Sequence, residues 1–314
     1  MYNKEVKMRY CAPVAFRINR RAEIMFKKMK RILSCALAAC GIVACAGSLT
    51  ACETNNPKVE MTIEFNGKPY TLEYKLYRKI TPRTVEHFLW LADGGFYDNT
   101  VIHDYDASAS KMYGGLYEYV ENTASDYFKA KSYNDFCEQY KAGFPISVAA
   151  DSEGNDPVYT LYGEFEDNNF GVKNGALKEG LGSLSMYYHD KVTEEEVYVK
   201  RADSGEFGKL PTGYSYNSAT SMFYISLSTT EQTQRKYCTF ATLLEDSQDE
   251  FEDLQEAIAE YIKEKYNEES ADFVTPTSMK IDQEDRFVAS QDKSKEFNIP
   301  KQAIIIRSVK VLKY

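Results

Sequence analysis

Gly95-Phe96-Tyr97-Asp98-Asn99-Thr100-Val101-Ile102-His103-Asp104, followed ten residues later by Gly114-Gly115, decides how the rest of the chain is read. Before it, Val59, Met61, Ile63 and Phe65 alternate with Glu60, Thr62 and Glu64, the period of a half-buried strand. Asn66-Gly67 suits a tight two-residue turn, and the alternation resumes from Tyr70 to Leu76, so residues 58–77 read as a β-hairpin. Thr81 then stands as an N-cap with Pro82 at the first helical position. Val85, Phe88, Leu89 and Ala92 fall on one helical face before Gly94-Gly95 stops it.

A hairpin, a helix opening Thr81-Pro82-Arg83-Thr84-Val85-Glu86-His87-Phe88-Leu89, and the stretch quoted above together resemble cyclophilin-type peptidyl-prolyl isomerases. In that family an aromatic-rich strand ends in His-Arg, and Gln-Gly-Gly follows. The resemblance continues in islands along residues 58–314: Tyr159–Phe165, Gly182–Met186, Asn217–Ile225, a second helix with Phe251, Leu254, Ile258 and Ile262, and a final Ile/Val-rich strand from Ala303 to Leu312. It implies a mainly β fold, a closed eight-stranded antiparallel barrel capped by two α-helices. Three stretches exceed what a minimal member needs, at about 116–157, 188–215 and 263–300, and are expected as loop insertions. The first two flank strands that frame the family's groove and would extend or cover it.

The resemblance also assigns the site. Family members carry an arginine that hydrogen-bonds the substrate proline nitrogen as the amide twists; the matching position here is Asp104, just after His103. Tyr113 stands for the Gln before Gly114-Gly115, Met222 for a Gln that holds the substrate backbone, Tyr224 for a pocket Phe, Tyr187 for an Ala and Tyr237 for a His; Phe240 keeps its family type. Asn217 opens the approach loop. These nine positions are the groove candidates, and no catalytic residue is assigned among them. Lys111 is the nearby cation that could stand in for the arginine. His103 reads as a packed strand-end histidine, and His87, on the polar side of the first helix, as solvated. No metal-ligand spacing appears, and no cofactor is expected.

The N-terminal 51 residues differ in kind. They hold 10 Lys/Arg and 2 Asp/Glu, whereas residues 52–314 hold 28 basic and 45 acidic side chains, a net of −17 that disfavours nucleic acid and anionic lipid surfaces. Lys27-Lys28-Met29-Lys30-Arg31, an apolar run from Ile32 to Leu49, and Leu49-Thr50-Ala51-Cys52 have the order of a lipoprotein signal peptide, the last four resembling a bacterial lipobox. The expected organisation is residues 1–51 as extension plus signal, with initiation at Met25 or Met29, 52–57 as a lipid-anchored tether on Cys52, and 58–314 as the folded domain. Five of the seven cysteines fall at or before Cys52, leaving Cys137 and Cys238 in the body as one disulfide or two buried thiols.

Function follows as an expectation: a membrane-anchored, extracytoplasmic isomerase and folding factor for exported, proline-containing polypeptides, with a degenerate site and weak activity. The rival is a cyclophilin-like lipoprotein that binds proline-containing or extended segments, or a partner protein, without catalysis. A solute- or glycan-binding lipoprotein using the Tyr-rich insertions is the third reading.

Overall fold

The computed structural model describes residues 55–121, 127–168, 177–190, 195–201, 204–213, 216–267, 270–280 and 294–314. Cys52 and the preceding residues read as a signal peptide lie outside the described residues, as do the side chains of His189 and Asn217.

Strands β1 (Lys58–Phe65) and β2 (Lys68–Leu76) form the expected hairpin, and helix α1 (Pro82–Asp93) follows. Asn66 and Gly67 sit at φ 50° and 77°, the left-handed pair that a tight hairpin turn demands. Strands β3 (Thr100–Val101), β4 (Asp104–Asp106) and β5 (Lys111–Gly114) carry the stretch that decides the fold. The first insertion contains β6 (Tyr117–Tyr119), β7 (Phe128–Ala130), α2 (Tyr133–Tyr140) and β8 (Val148–Ala149); β9 (Leu161–Tyr162) and β10 (Leu184–Met186) come next. The second contains β11 (His189–Asp190), β12 (Glu196–Val199) and β13 (Thr212–Gly213). Then come β14 (Tyr216–Ala219), β15 (Phe223–Ser226), β16 (Thr239–Leu243), α3 (Gln248–Tyr266), a short α4 (Ser270–Phe273), β17 (Val274–Lys280), β18 (Ser294–Pro300) and β19 (Ile304–Lys313).

Among the described residues the main antiparallel sheet has eleven strands in the order β4-β5-β15-β10-β16-β2-β1-β19-β3-β6-β7 and curls around one core. The mainly β architecture is the one the sequence implies, α1 and α3 being the two expected helices, while the insertions supply α2 and α4 and the strands β6 and β7 that extend the sheet. Phe88 of α1 plugs the interior, 5.0 Å from the Tyr97 ring, 5.7 Å from Phe223 and 4.9 Å from Phe240. Helix α3 buries Phe251, Leu254, Ile258 and Ile262, the face its spacing predicts.

Gly115 has φ +87°, and a Cβ there would lie 2.5 Å from the Ser221 carbonyl oxygen, so glycine alone fits where β5 passes β15. The segment Asn217–Ile225 breaks into β14 and β15 because two of its carbonyls are claimed by side chains: His87 Nε2 donates to Thr220 O at 2.7 Å, and the Tyr97 hydroxyl to Ser221 O at 3.1 Å. His87 is therefore not solvated as its helical position suggested. It is buried between α1 and the Thr220 backbone, with the Phe144 ring of the first insertion 5.7 Å away. Thr81 likewise gives no side-chain cap to α1. Glu164 caps the helix instead: its Oε2 accepts from Thr84 N and Thr84 Oγ1 at 2.9 and 2.8 Å, and Oε1 from Arg83 N at 3.4 Å. That use of Glu164 fits the shortness of β9, which ends two residues before it.

Candidate active-site groove

The register places the groove candidates side by side. Asp104 pairs with Tyr113 across β4 and β5, Tyr113 with Tyr224 across β5 and β15, and Tyr224 with Ser185 across β15 and β10. Cross-strand partners share a face, so Tyr113 and Tyr224 meet at 5.4 Å between ring centroids. Tyr187 lies 5.9 Å from Tyr113, Tyr237 lies 5.5 Å from Tyr224, and Met222 is buried in the same cluster. Phe240 stands apart in the main core against Phe88.

The groove is filled from within the chain. Phe297 and Ile299 of β18 are buried in the cluster of Tyr113, Tyr187, Met222 and Tyr224. The Phe297 ring is 5.0 Å edge-on to His103, with Tyr117 of the first insertion 5.2 Å away on the same imidazole. The Asn298 N–H donates to Asp104 Oδ1 at 3.0 Å. Lys295 Nζ donates to the Tyr187 hydroxyl at 3.0 Å and lies 4.3 Å from that ring and 5.5 Å from the Tyr113 ring. It is thus the third insertion that covers the groove, joined by Leu116, Tyr117 and Tyr127 of the first. The spacing gave one clue to this: Lys295, Phe297 and Ile299 alternate with Glu296 and Asn298 inside an otherwise charged stretch.

Electrostatics define what this surface can do. Burial pushes the His103 imidazole down to about 3, so it is neutral at physiological pH and moves no proton there. Burial raises the Asp104 carboxyl above its ordinary range, opposed by the Asn298 N–H and by the charge of Lys295. Lys111 Nζ sits over the rings of Tyr224 and Tyr237 at 4.1 and 4.6 Å; burial lowers its pKa against the attraction of Glu179. Glu179, itself buried, accepts the Tyr224 hydroxyl at 2.6 Å and the Gln232 side-chain amide at 3.2 Å. The aromatic floor is thus fixed by an ammonium above it and a carboxylate beside it. Glu179 had no signal in the sequence, because its contacts span 45 and 53 residues.

Cys137 and Cys238 form no disulfide; both are buried, and burial pushes the Cys238 thiol up to about 12, too high for a nucleophilic thiolate. Among the described residues no group of three His, Cys, Asp or Glu side chains is placed to hold a metal ion.

A curled antiparallel sheet packed against α1 and α3, with the candidate residues converging on β4, β5, β10 and β15, is the arrangement expected from the sequence. The family model for cyclophilin type peptidyl-prolyl cis-trans isomerases matches residues 59–275, and the chain belongs to that family. Strand β18 lies outside the matched residues. Among solved structures, the chain is similar to a Cryptosporidium parvum cyclophilin type peptidyl-prolyl cis-trans isomerase, at 17% identity and a TM-score of 0.38, over 82% of this chain and 99% of that one. A second structure of that protein, in the presence of the dipeptide Ala-Pro, gives 15% identity and a TM-score of 0.36 over the same shares. No curated protein sequence matches.

Proposed function

We propose that this chain is a membrane-anchored, extracytoplasmic folding factor of the cyclophilin class, acting on exported proline-containing polypeptides with turnover well below that of an arginine-bearing site. The observation that carries it is the state of Asp104: an acceptor-only group at the arginine position, already engaged by Asn298. Rotating an X-Pro amide means crossing about 18–20 kcal/mol, and an enzyme lowers this only by binding the twisted amide better than the planar ones. Losing a charge-assisted hydrogen bond to the twisted amide forfeits about 1.5–3 kcal/mol, which is roughly a ten- to hundredfold loss in rate. Anchoring is supported by the basic run Lys27–Arg31, the apolar run to Leu49 and the Leu49–Cys52 lipobox. The acidic body argues against nucleic acid as a partner.

The same geometry favours a second reading, a non-catalytic binder of extended segments. Tyr113 and Met222 stand where family members hold the substrate backbone with amide side chains, and both are buried. Turnover of a proline tetrapeptide by the detergent-solubilised mature protein separates the two. Slow but saturable isomerisation that survives Lys111→Ala supports the isomerase; none above the uncatalysed rate leaves the binder; robust turnover abolished by Lys111→Ala means Lys111 replaces the arginine. Mass spectrometry of the membrane fraction tests the anchor: an acylated Cys52 peptide is expected, and an intact peptide spanning Ala51-Cys52 would refute it.

A further inference from the structure

Strand β18 is placed like a ligand. Among the described strands it pairs only with β17, in a two-stranded sheet separate from the main one. Pro276 faces Asn298 across that pair and has no N–H to offer, while the Asn298 N–H turns to Asp104. Toward the groove, β18 presents Lys295, Phe297 and Ile299 at alternate positions: an ammonium against Tyr187 and Tyr113, a ring against His103, and an aliphatic chain in the same cluster. Glu296, between them, is exposed. The Pro300 carbonyl accepts the Tyr127 hydroxyl at 2.7 Å, which fixes the end of the strand.

We propose that β18 is a built-in occupant of the groove, and that it competes there with extended polypeptide segments of the same pattern, a basic residue followed at alternate positions by an aromatic and an aliphatic side chain. This rests on reading the Tyr113–Tyr224 face as the polypeptide site. An added segment has to displace a strand tethered at both ends, whose effective concentration is of order millimolar. If the groove is open only a fraction of the time, the apparent affinity for an added segment falls by that fraction. Weakening β18 tenfold therefore tightens the apparent affinity about tenfold, with no change in the groove itself.

The probe is a fluorescein-labelled peptide of the β18 sequence, Ser294–Pro300, added to the full chain and followed by anisotropy. The Lys295→Ala/Phe297→Ala double variant should bind it at least about tenfold more tightly than the wild type, and a peptide with aspartate in place of the phenylalanine should not bind. Because loss of the Phe297 ring could unfold the domain, the half-buried Lys295→Ala single variant is measured alongside and should bind more tightly than wild type. Equal binding by wild type and Lys295→Ala would show that the groove is not gated by β18. Absence of binding by either variant, with its near-ultraviolet circular dichroism intact, would show that β18 covers no persistent groove. Neither readout needs turnover, so a variant that gains peptide binding without isomerising the tetrapeptide sustains the occupancy and retires the catalytic reading.

Discussion

Asp104 and Asn298, 194 residues apart, are joined by a 3.0 Å hydrogen bond from backbone N–H to carboxylate that ties an insertion strand to the edge strand of the main sheet. Asp104 is 4% exposed, and its desolvation outweighs the help of that N–H and of Lys295, so its pKa in the fold is raised. A raised carboxyl pKa means the folded state binds the proton more readily than the unfolded chain, so the charged form costs stability above the raised pKa and the cost vanishes below the ordinary value of about 3.9.

The Asp104→Asn variant should therefore be at least as stable as wild type at neutral pH, since the amide oxygen can still accept from Asn298 without a buried charge. The difference should shrink as pH falls toward 4. Urea unfolding of both proteins between pH 4 and 8 checks it; a variant less stable at pH 7 would mean the charge itself holds β18.

Phe223 is fully buried on β15, with its ring edge-on to Phe88 and 5.3 Å from Tyr97. Truncation to alanine leaves a cavity in the middle of the aromatic cluster, for which about 3–5 kcal/mol is expected. A change within about 0.5 kcal/mol in equilibrium unfolding would be incompatible with that position.

The sequence made the fold legible where local pattern and tertiary role coincide. The β1–β2 alternation, Asn66-Gly67 and the α3 face all work through neighbours a few residues away, and each appears in the structure as read. The positions assigned to the groove come together in one buried cluster of Tyr113, Tyr187, Met222 and Tyr224. What covers that cluster was not legible, because Phe297 and Asn298 reach His103 and Asp104 across almost 200 residues of chain, and the alternation of Lys295, Phe297 and Ile299 hints at a strand without naming its long-range partner. His87 misled for a related reason. Its helical position faces away from the α1 apolar stripe, but the first insertion supplies Tyr133 and Phe144 to cover it.

Glu164 holds the N-terminus of α1 through three hydrogen bonds from Arg83 and Thr84. The Glu164→Ala variant orphans these buried donors and should lose about 1–3 kcal/mol or more. The Glu164→Gln variant keeps an acceptor oxygen and, because burial raises the Glu164 pKa, sheds a desolvated charge, so it should lie much closer to wild type. Equal losses in the two variants would point to packing rather than capping.

The two buried histidines oppose folding in acid. Burial lowers His103 to about 3 and His87 to about 4, the latter although the Thr220 carbonyl favours its protonated ring. In the unfolded chain both titrate near 6.5, so between that value and about 4 the unfolded state binds protons that the folded state refuses. Their contribution is absent above about 6.5 and grows as pH drops below it, costing up to about 1.4 kcal/mol per pH unit for each histidine. Replacing His103 with Phe removes one of these protons while keeping an aromatic ring against Tyr117 and Phe297, so the variant should lose less stability than wild type between pH 6 and 4.5, the raised carboxyls of Asp104 and Glu164 acting in the opposite sense in both proteins. His87→Gln is a poorer test, because the Thr220 carbonyl then depends on a new donor. Urea midpoints measured across that interval decide the matter: an unchanged slope in His103→Phe would mean that His103 is protonated in the fold, and that the groove is wetter than its packing against Phe297 implies.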